Sequence, residues 1–255
     1  MRSFWNKALL CVLAFFILSI DAAGQSPASP SVLWNGERLV FRISWFGIPA
    51  GTAVVEAKDA EDFQGKKMYG ISAVTASNKY IDAFYPVRDG IYSFLFADTL
   101  ASHRFVVHQA EGSYRSDKEI IFDYAKRKAT FTKNGDVSMY DIPAFLTDSL
   151  SAFYYFRTKE VTVGKSITVD VFDDKQLWQV EIQILGKERI ETPAGTFNTI
   201  LIKPILKFEG IFQRKGDVYF WITDDQRKMP VRMRSKIVIG SVYADLIEYA
   251  HKPSP

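Results

Sequence analysis

Cysteine is nearly absent: Cys11 is the only one in 255 residues. Histidine is scarce too, with three copies. No Gly-rich phosphate loop and no Gly-x-Ser-x-Gly nucleophile elbow occurs. No apolar run reaches the roughly 20 residues that a helix needs to span a bilayer. Neither charge sign dominates: 32 Lys+Arg against 29 Asp+Glu argue against a dedicated nucleic-acid binder. Low-complexity bias is missing as well. What is present is apolar: 15% aromatic and 47% hydrophobic residues exclude a disordered chain. The length allows one large domain with a sizeable core.

The N-terminus reads as an export signal. Arg2 and Lys7 form a positive start, and Ala8 to Ile20 is apolar apart from Ser19. Asp21 ends the run, and Ala22-Ala23-Gly24 supplies small residues for cleavage after Gly24. Cys11 follows Leu10, not a small residue, and lies too early for a lipobox. If Cys11 leaves with the signal, disulfides, thiolate catalysis and Cys-ligated metals are excluded. Removing Arg2, Lys7 and Asp21 leaves 30 basic against 28 acidic residues. The expected organisation is a signal peptide at 1–24, a flexible leader at 25–35, one β-rich domain at 36–250 and a tail at 251–255, located in the periplasm.

Beyond the leader the hydrophobic period is two. Leu39, Phe41, Ile43 and Trp45 share one face, with Arg38, Arg42 and Ser44 on the other. Trp178, Val180, Ile182 and Ile184 alternate with Gln179, Glu181 and Gln183. Val231, Met233, Ser235 and Ile237 alternate with Arg232, Arg234 and Lys236. No sustained strand–helix alternation occurs, so a parallel α/β fold is not expected. Pro49-Ala50-Gly51 and Pro193-Ala194-Gly195 suit three-residue hairpin loops, and Asn134-Gly135 is the strongest two-residue hairpin signal. Gln64-Gly65, Lys215-Gly216 and Asp224-Asp225-Gln226 are further turns. The repeated Pro-Ala-Gly-Thr at 49–52 and 193–196 reads as convergent use of one turn, not as a duplication.

One helix is expected at about 147–158, capped by Thr147 or Asp148. Leu150, Phe153, Tyr154 and Arg157 fall at helical spacing, so one face can pack on the sheet. A second helical turn is expected at Lys79 to Phe84.

Candidate chemistry is sparse. His103 and His108 are five apart on an expected strand, which puts them on opposite faces unless a bulge intervenes. The Asp173-Asp174 and Asp224-Asp225 pairs could serve as acid and base, but both sit at expected turns, where solvated acids are ordinary. Residues 203 to 236 are basic, and Arg232, Arg234 and Lys236 project from one face at about 7 Å spacing. That row could meet an anionic head group or be a solvated face. The tryptophans could fill a core or wall a lipophilic cavity.

Several stretches, in order, resemble a bacterial exported family catalogued as domain of unknown function 3108. They are Gly36-Glu37-Arg38-Leu39-Val40-Phe41 with Gly47-Ile48-Pro49-Ala50-Gly51, then Asp148-Ser149-Leu150-Ser151-Ala152-Phe153-Tyr154-Tyr155-Phe156-Arg157. Glu191-Thr192-Pro193-Ala194-Gly195-Thr196-Phe197 follows. The last is Trp221-Ile222-Thr223-Asp224-Asp225 with Met229-Pro230-Val231 and Ile239-Gly240-Ser241-Val242. The family's Arg-Ile-Pro is Lys228-Met229-Pro230 here. The resemblance implies a β-rich envelope protein of Gram-negative type and carries over no catalytic residue.

The fold expected is mainly β: a curved antiparallel sheet forming an open or partly closed barrel with one packing helix. The leading function is non-enzymatic binding of an apolar or amphipathic envelope molecule. Trp45, Trp178 and Trp221 would form aromatic walls, and Arg232 and Arg234 would meet a head group. No metal and no cofactor is expected. Expected partners are a lipid or amphiphile, or an envelope protein, with peripheral membrane contact and no nucleic acid. The alternatives are an envelope assembly module using a strand edge or the helix face, and a glycan or cell-wall hydrolase using Asp224 or Asp225.

Overall fold

The computed structural model describes residues 35–207, 217–236 and 240–250, the side chains of Leu206 and Lys207 excepted. The signal, most of the leader, Lys215-Gly216, Ile237 and the tail lie outside the described residues. Fourteen strands are β1 Glu37–Trp45, β2 Ile48–Phe63, β3 Lys66–Ser77, β4 Arg88–Phe96, β5 Ser102–Glu111, β6 Tyr114–Asp123, β7 Lys128–Lys133, β8 Asp136–Asp141, β9 Ser166–Asp173, β10 Gln176–Thr192, β11 Gly195–Lys207, β12 Val218–Thr223, β13 Pro230–Lys236 and β14 Ser241–Ala250. Two short helices join them, α1 Lys79–Asp82 and α2 Ser151–Arg157.

All strands belong to one antiparallel sheet, ordered β8-β7-β6-β5-β4-β3-β2-β1-β14-β13-β12-β11-β10-β9. The first strand pairs with the last, so the free edges are β8 and β9, which are consecutive in the chain. The sheet curls until these edges approach without pairing. Phe172 of β9 meets Phe122 edge-on and tilts against Tyr140, on the inner face of β6–β8. Lys118 of β6 bonds Asp173 at the end of β9. The result is the open barrel that the alternating pattern predicts.

The link from β8 to β9 lies in the gap. Leu146 O accepts from Ser102 N–H at 2.9 Å, and Thr147 pairs with Val171 in parallel. The link then turns into α2, whose buried side chains join two cores. Leu150 and Tyr154 pack with the β3–β7 side, and Ala152 and Phe156 with the β9–β12 side. The helix is shorter than the expected 147–158, because Asp148 caps it across an extra turn: its Oδ1 accepts from Leu150 and Ser151 N–H, each at 2.9 Å.

Two-residue turns carry most hairpins. Phe46-Gly47, Gln64-Gly65, Asn134-Gly135 and Asp174-Lys175 each have two successive positive φ values, the geometry that matches strand twist. Two turn expectations need correction. Pro49-Ala50-Gly51 lies inside β2, because Phe46-Gly47 already makes the turn. At Pro193-Ala194 the loop has two residues, since Thr192 pairs with Gly195. The odd-spacing rule for the histidines fails as well. A bulge shifts the β4–β5 register between Phe94 and Leu95, so Leu95 pairs with Ser102 and Phe94 with Arg104. His103 is the extra residue, its ring packed on Phe63 and Phe96.

Candidate functional site

The structure distributes the predicted site residues over different regions. Trp45 ends β1 beside Phe46, ring centroids 5.2 Å apart. Trp178 packs on the β9–β12 core, and its Nε1 donates to Asp173 O at 2.7 Å. Trp221 is buried on β12 in another core cluster, and its Nε1 donates to Glu188 Oε2 at 2.8 Å. Trp221 and Arg232 face each other in register, as do Tyr219 and Arg234. These four therefore share one patch, from which Trp45 and Trp178 are absent. Arg232 is ion-paired with Asp245, and its Nη2 donates to Glu191 O at 3.1 Å. The Arg234 guanidinium stacks 4.6 Å from the Tyr219 ring centre.

Asp224 and Asp225 occupy the β12–β13 loop. Asp224 pairs with Lys187 at 2.6 Å. Asp225 accepts from Thr223 Oγ1 at 2.6 Å and from Arg227 Nη2 at 2.9 Å. Burial works to raise the Asp225 pKa, but these hydrogen bonds outweigh it and hold the carboxyl below the ordinary range. A general acid needs the opposite shift. Asp173 is not a solvated turn acid: it is buried against Lys118.

Inside the barrel, two polar networks fix α2. Asp148 is fully buried and accepts from Ser93 Oγ at 2.5 Å and Ser102 Oγ at 2.6 Å through its second oxygen. Burial raises its pKa, against the pull of these donors. The other network centres on Glu37. Arg157 Nη1 and Nη2 donate to its two oxygens at 2.7 Å each, and Tyr154 Oη donates at 3.2 Å. Arg157 Nε donates to Arg227 O at 2.9 Å, and Lys228 Nζ to Arg157 O at 3.0 Å. Burial, then the Arg157 charge, push the Lys228 pKa down. Every carboxylate oxygen of Asp148 and Glu37 accepts from a protein donor, which suits a fixed helix.

The opposite end of the barrel, at the β1–β2 turn, differs. Large apolar side chains stand in water there: Phe46 is 62% exposed, Ile48 66%, Tyr80 70% and Phe84 66%. The β1–β2 hairpin and α1 are bonded neighbours: Asn78 N–H donates to Ala50 O at 2.9 Å, and Asn78 Nδ2 to Pro49 O at 2.6 Å. Asn78 also caps α1, accepting from Tyr80 and Ile81 N–H. Arg88 locks α1 through Asp82, whose pKa the hydrogen bonds from Arg88 and Ser77 pull down to about 2. Lys79 lies over the Tyr80 ring at 5.2 Å, placing a cation beside the apolar tip.

The same end holds a buried acid. Glu111 closes β5 opposite Val87 and is 1% exposed, its carboxyl beside that of Asp89 on β4. Burial and the Asp89 charge push its pKa up to about 8. Sequence reading missed both features of this end. The signal was available: Trp45-Phe46-Gly47-Ile48 is apolar across a turn, where polar residues are the rule, and Glu111 has the parity of the apolar Phe105 and Val107.

An open antiparallel barrel with an internal helix, fixed polar networks and one apolar end defines a β-barrel-like class of protein. Within it, the chain belongs to the DUF3108 family, described as a protein of unknown function, whose model matches residues 40–247. No curated protein matches the chain. Among solved structures, a β-barrel-like protein of domain of unknown function DUF1849 from Brucella abortus is similar in fold. The TM-score is 0.55 at 9% identity, over 84% of this chain and 96% of that one. A chain described as a candidate lipoprotein from Parabacteroides distasonis aligns with a TM-score of 0.38 at 13% identity, over 86% and 98% of the two chains.

Proposed function

We infer that this protein is exported to the cell envelope and binds an apolar or amphipathic envelope molecule without altering it chemically. The observation that carries this reading is the exposed apolar end, Phe46, Ile48, Tyr80 and Phe84 on two hydrogen-bonded turns. Burying a side chain of this size is worth about 1.5–3 kcal/mol, so leaving four in water favours a covering partner. Lys79 at its edge matches an amphiphile with an anionic or polar head. The signal-like N-terminal sequence supplies the location. The contact surface proposed is this turn end; Arg232 and Arg234 are engaged by Asp245 and Tyr219.

Native mass spectrometry and vesicle flotation of the chain without residues 1–24 test the reading. The Phe46→Ser/Phe84→Ser variant should retain its fold and lose about tenfold or more in lipid association. Equal association of variant and parent, or none by either, would remove the proposal. One observation favours a second reading, a protein-interaction module: β8 is a free sheet edge with Val137 and Met139 exposed on it.

A further inference from the structure

Four turns at the apolar end hold one another in a continuous surface. Gly240, just before β14, lies under the Phe46 ring: its φ is +82, and a Cβ there would stand 2.6 Å from that ring. Asn78 ties the β1–β2 turn to α1 by donating to Pro49 O and Ala50 O. The Tyr85-Pro86-Val87 link then meets the β5–β6 turn. Gly112 N–H donates to Pro86 O at 2.7 Å, and a Cβ on Gly112 would stand 2.8 Å from the Tyr85 ring. The unbroken sheet order from β13 through β14 and β1 to β6 sets these turns side by side on one rim.

Charge on this rim is one-sided. Lys79, Arg88, Arg115 and Lys236 are exposed there. Arg88 is bonded to Asp82, the one ion pair of these turns among the described residues. Lys79 lies over the Tyr80 ring, and Arg115 donates only to the Gly112 and Tyr114 carbonyls. The nearby acids are engaged. Asp117 bonds His108 at 2.6 Å. Asp89 has the parity of the buried Ile91, Glu111 is buried, and their carboxyls share a hydrogen bond. Lys79, Arg115 and Lys236 are therefore left as uncompensated cations around the apolar side chains.

Shape and charge together select the partner. Phe46, Ile48, Tyr80 and Phe84 stand on two projecting turns, each more than half exposed. Projecting side chains cannot enclose a single amphiphile, but they can enter a headgroup layer together. Aromatic rings suit that depth, and a lysine can bury its stem there while its amine stays in water. We propose that this end docks on an anionic phospholipid bilayer, with the four apolar side chains in the headgroup layer and Lys79, Arg115 and Lys236 on lipid phosphates. The inference rests on the reading above and names the partner of that surface. A Lys or Arg close to an anionic leaflet strengthens association about fivefold, whereas apolar contacts are indifferent to lipid charge.

The test is flotation with two kinds of vesicle, phosphatidylcholine alone and phosphatidylcholine with about 30 mol% phosphatidylglycerol. The parent chain should bind the anionic vesicles about tenfold or more tightly than the neutral ones, and about 1 M NaCl should remove most of that difference. Lys79→Gln/Lys236→Gln should lose about twentyfold on anionic vesicles and little on neutral ones. Lys126→Gln/Arg189→Gln removes two exposed cations at the opposite end and should change neither. Trp45 lies beside Phe46, ring centroids 5.2 Å apart, so brominated lipid should quench emission from the parent and much less from Trp45→Phe. Equal association with neutral and anionic vesicles would overturn the proposal and leave the apolar reading standing. An equal loss in the opposite-end variant would overturn it too, since charge would then act without this surface. Association with neither vesicle would remove both.

Discussion

Glu37 and Arg157 are 120 residues apart and meet as a fully buried bidentate pair between α2 and the sheet. Each half was visible in the sequence. Glu37 has the parity of Leu39, Phe41 and Ile43, so an acid stood on the apolar face of β1. Arg157 stood on the packing stripe of the helix with Leu150 and Tyr154. Only the tertiary fold joins the two, which is why neither could be read as an ion pair. Desolvating both charges is expensive, and removing one strands the other. Arg157→Met should therefore cost about 3–5 kcal/mol in urea unfolding. Glu37→Met/Arg157→Met should recover most of that loss, because an apolar pair replaces a desolvated one. Recovery stays incomplete, since Tyr154 Oη loses its bond to Glu37 and Arg227 O its bond from Arg157. A double variant no more stable than Arg157→Met would show that the helix depends on the charges themselves.

The Pro-Ala-Gly-Thr repeat shows what an element adds to its sequence. At 193–196 the proline and alanine form the turn between β10 and β11. At 49–52 the same four residues lie within β2, because Phe46-Gly47 offers glycine at the second turn position and takes the turn first. Local propensity identified most turns of the β2–β3, β7–β8 and β9–β10 hairpins, where one signal stood alone. It misplaced the turn where two signals competed within six residues, and it made the Pro193-Ala194 loop one residue too long. The glycine of the first copy then serves a different purpose. A Cβ on Gly51 would lie 2.3 Å from Ala76 O, so Gly51 lets β2 approach β3. Gly65 is the contrast: it has positive φ and open space around its Cβ position. Gly65→Ala should cost about 1 kcal/mol from backbone strain. Gly51→Ala must push two strands apart and should cost more, about 2–3 kcal/mol in thermal unfolding. Equal costs would show that the β2–β3 spacing yields without penalty.

At the scale of the whole molecule, the alternation of apolar residues predicted a curved antiparallel sheet but not where it opens. Period and turn chemistry describe neighbours in sequence. The β1–β14 pairing joins the two ends of the domain, and it moves the free edges to β8 and β9 in the middle of the chain. The sheet is therefore continuous across the chain termini and interrupted at an internal connection, which α2 and its preceding link fill. The edges are held by side chains and by Thr147, not by a strand ladder. Phe172 packs on Phe122 and Tyr140, Lys175 lies over Phe131, and Lys118 bonds Asp173. The Lys118–Asp173 pair is the most buried ion pair across the seam, and Asp173 keeps little else than the Asp174 N–H at 2.8 Å. Lys118→Met preserves the apolar stem on Phe105 and removes the charge. It should cost about 3 kcal/mol by leaving Asp173 buried and unpaired. The loss should be local, because the β1–β14 ladder lies at the far side of the sheet from the seam. Hydrogen exchange should accelerate in β8, β9 and the 142–150 link while protection in β1 and β14 holds. Uniform acceleration across all fourteen strands would mean that the seam opens only when the whole sheet unfolds, and that β8 and β9 are locked together as firmly as any paired strands.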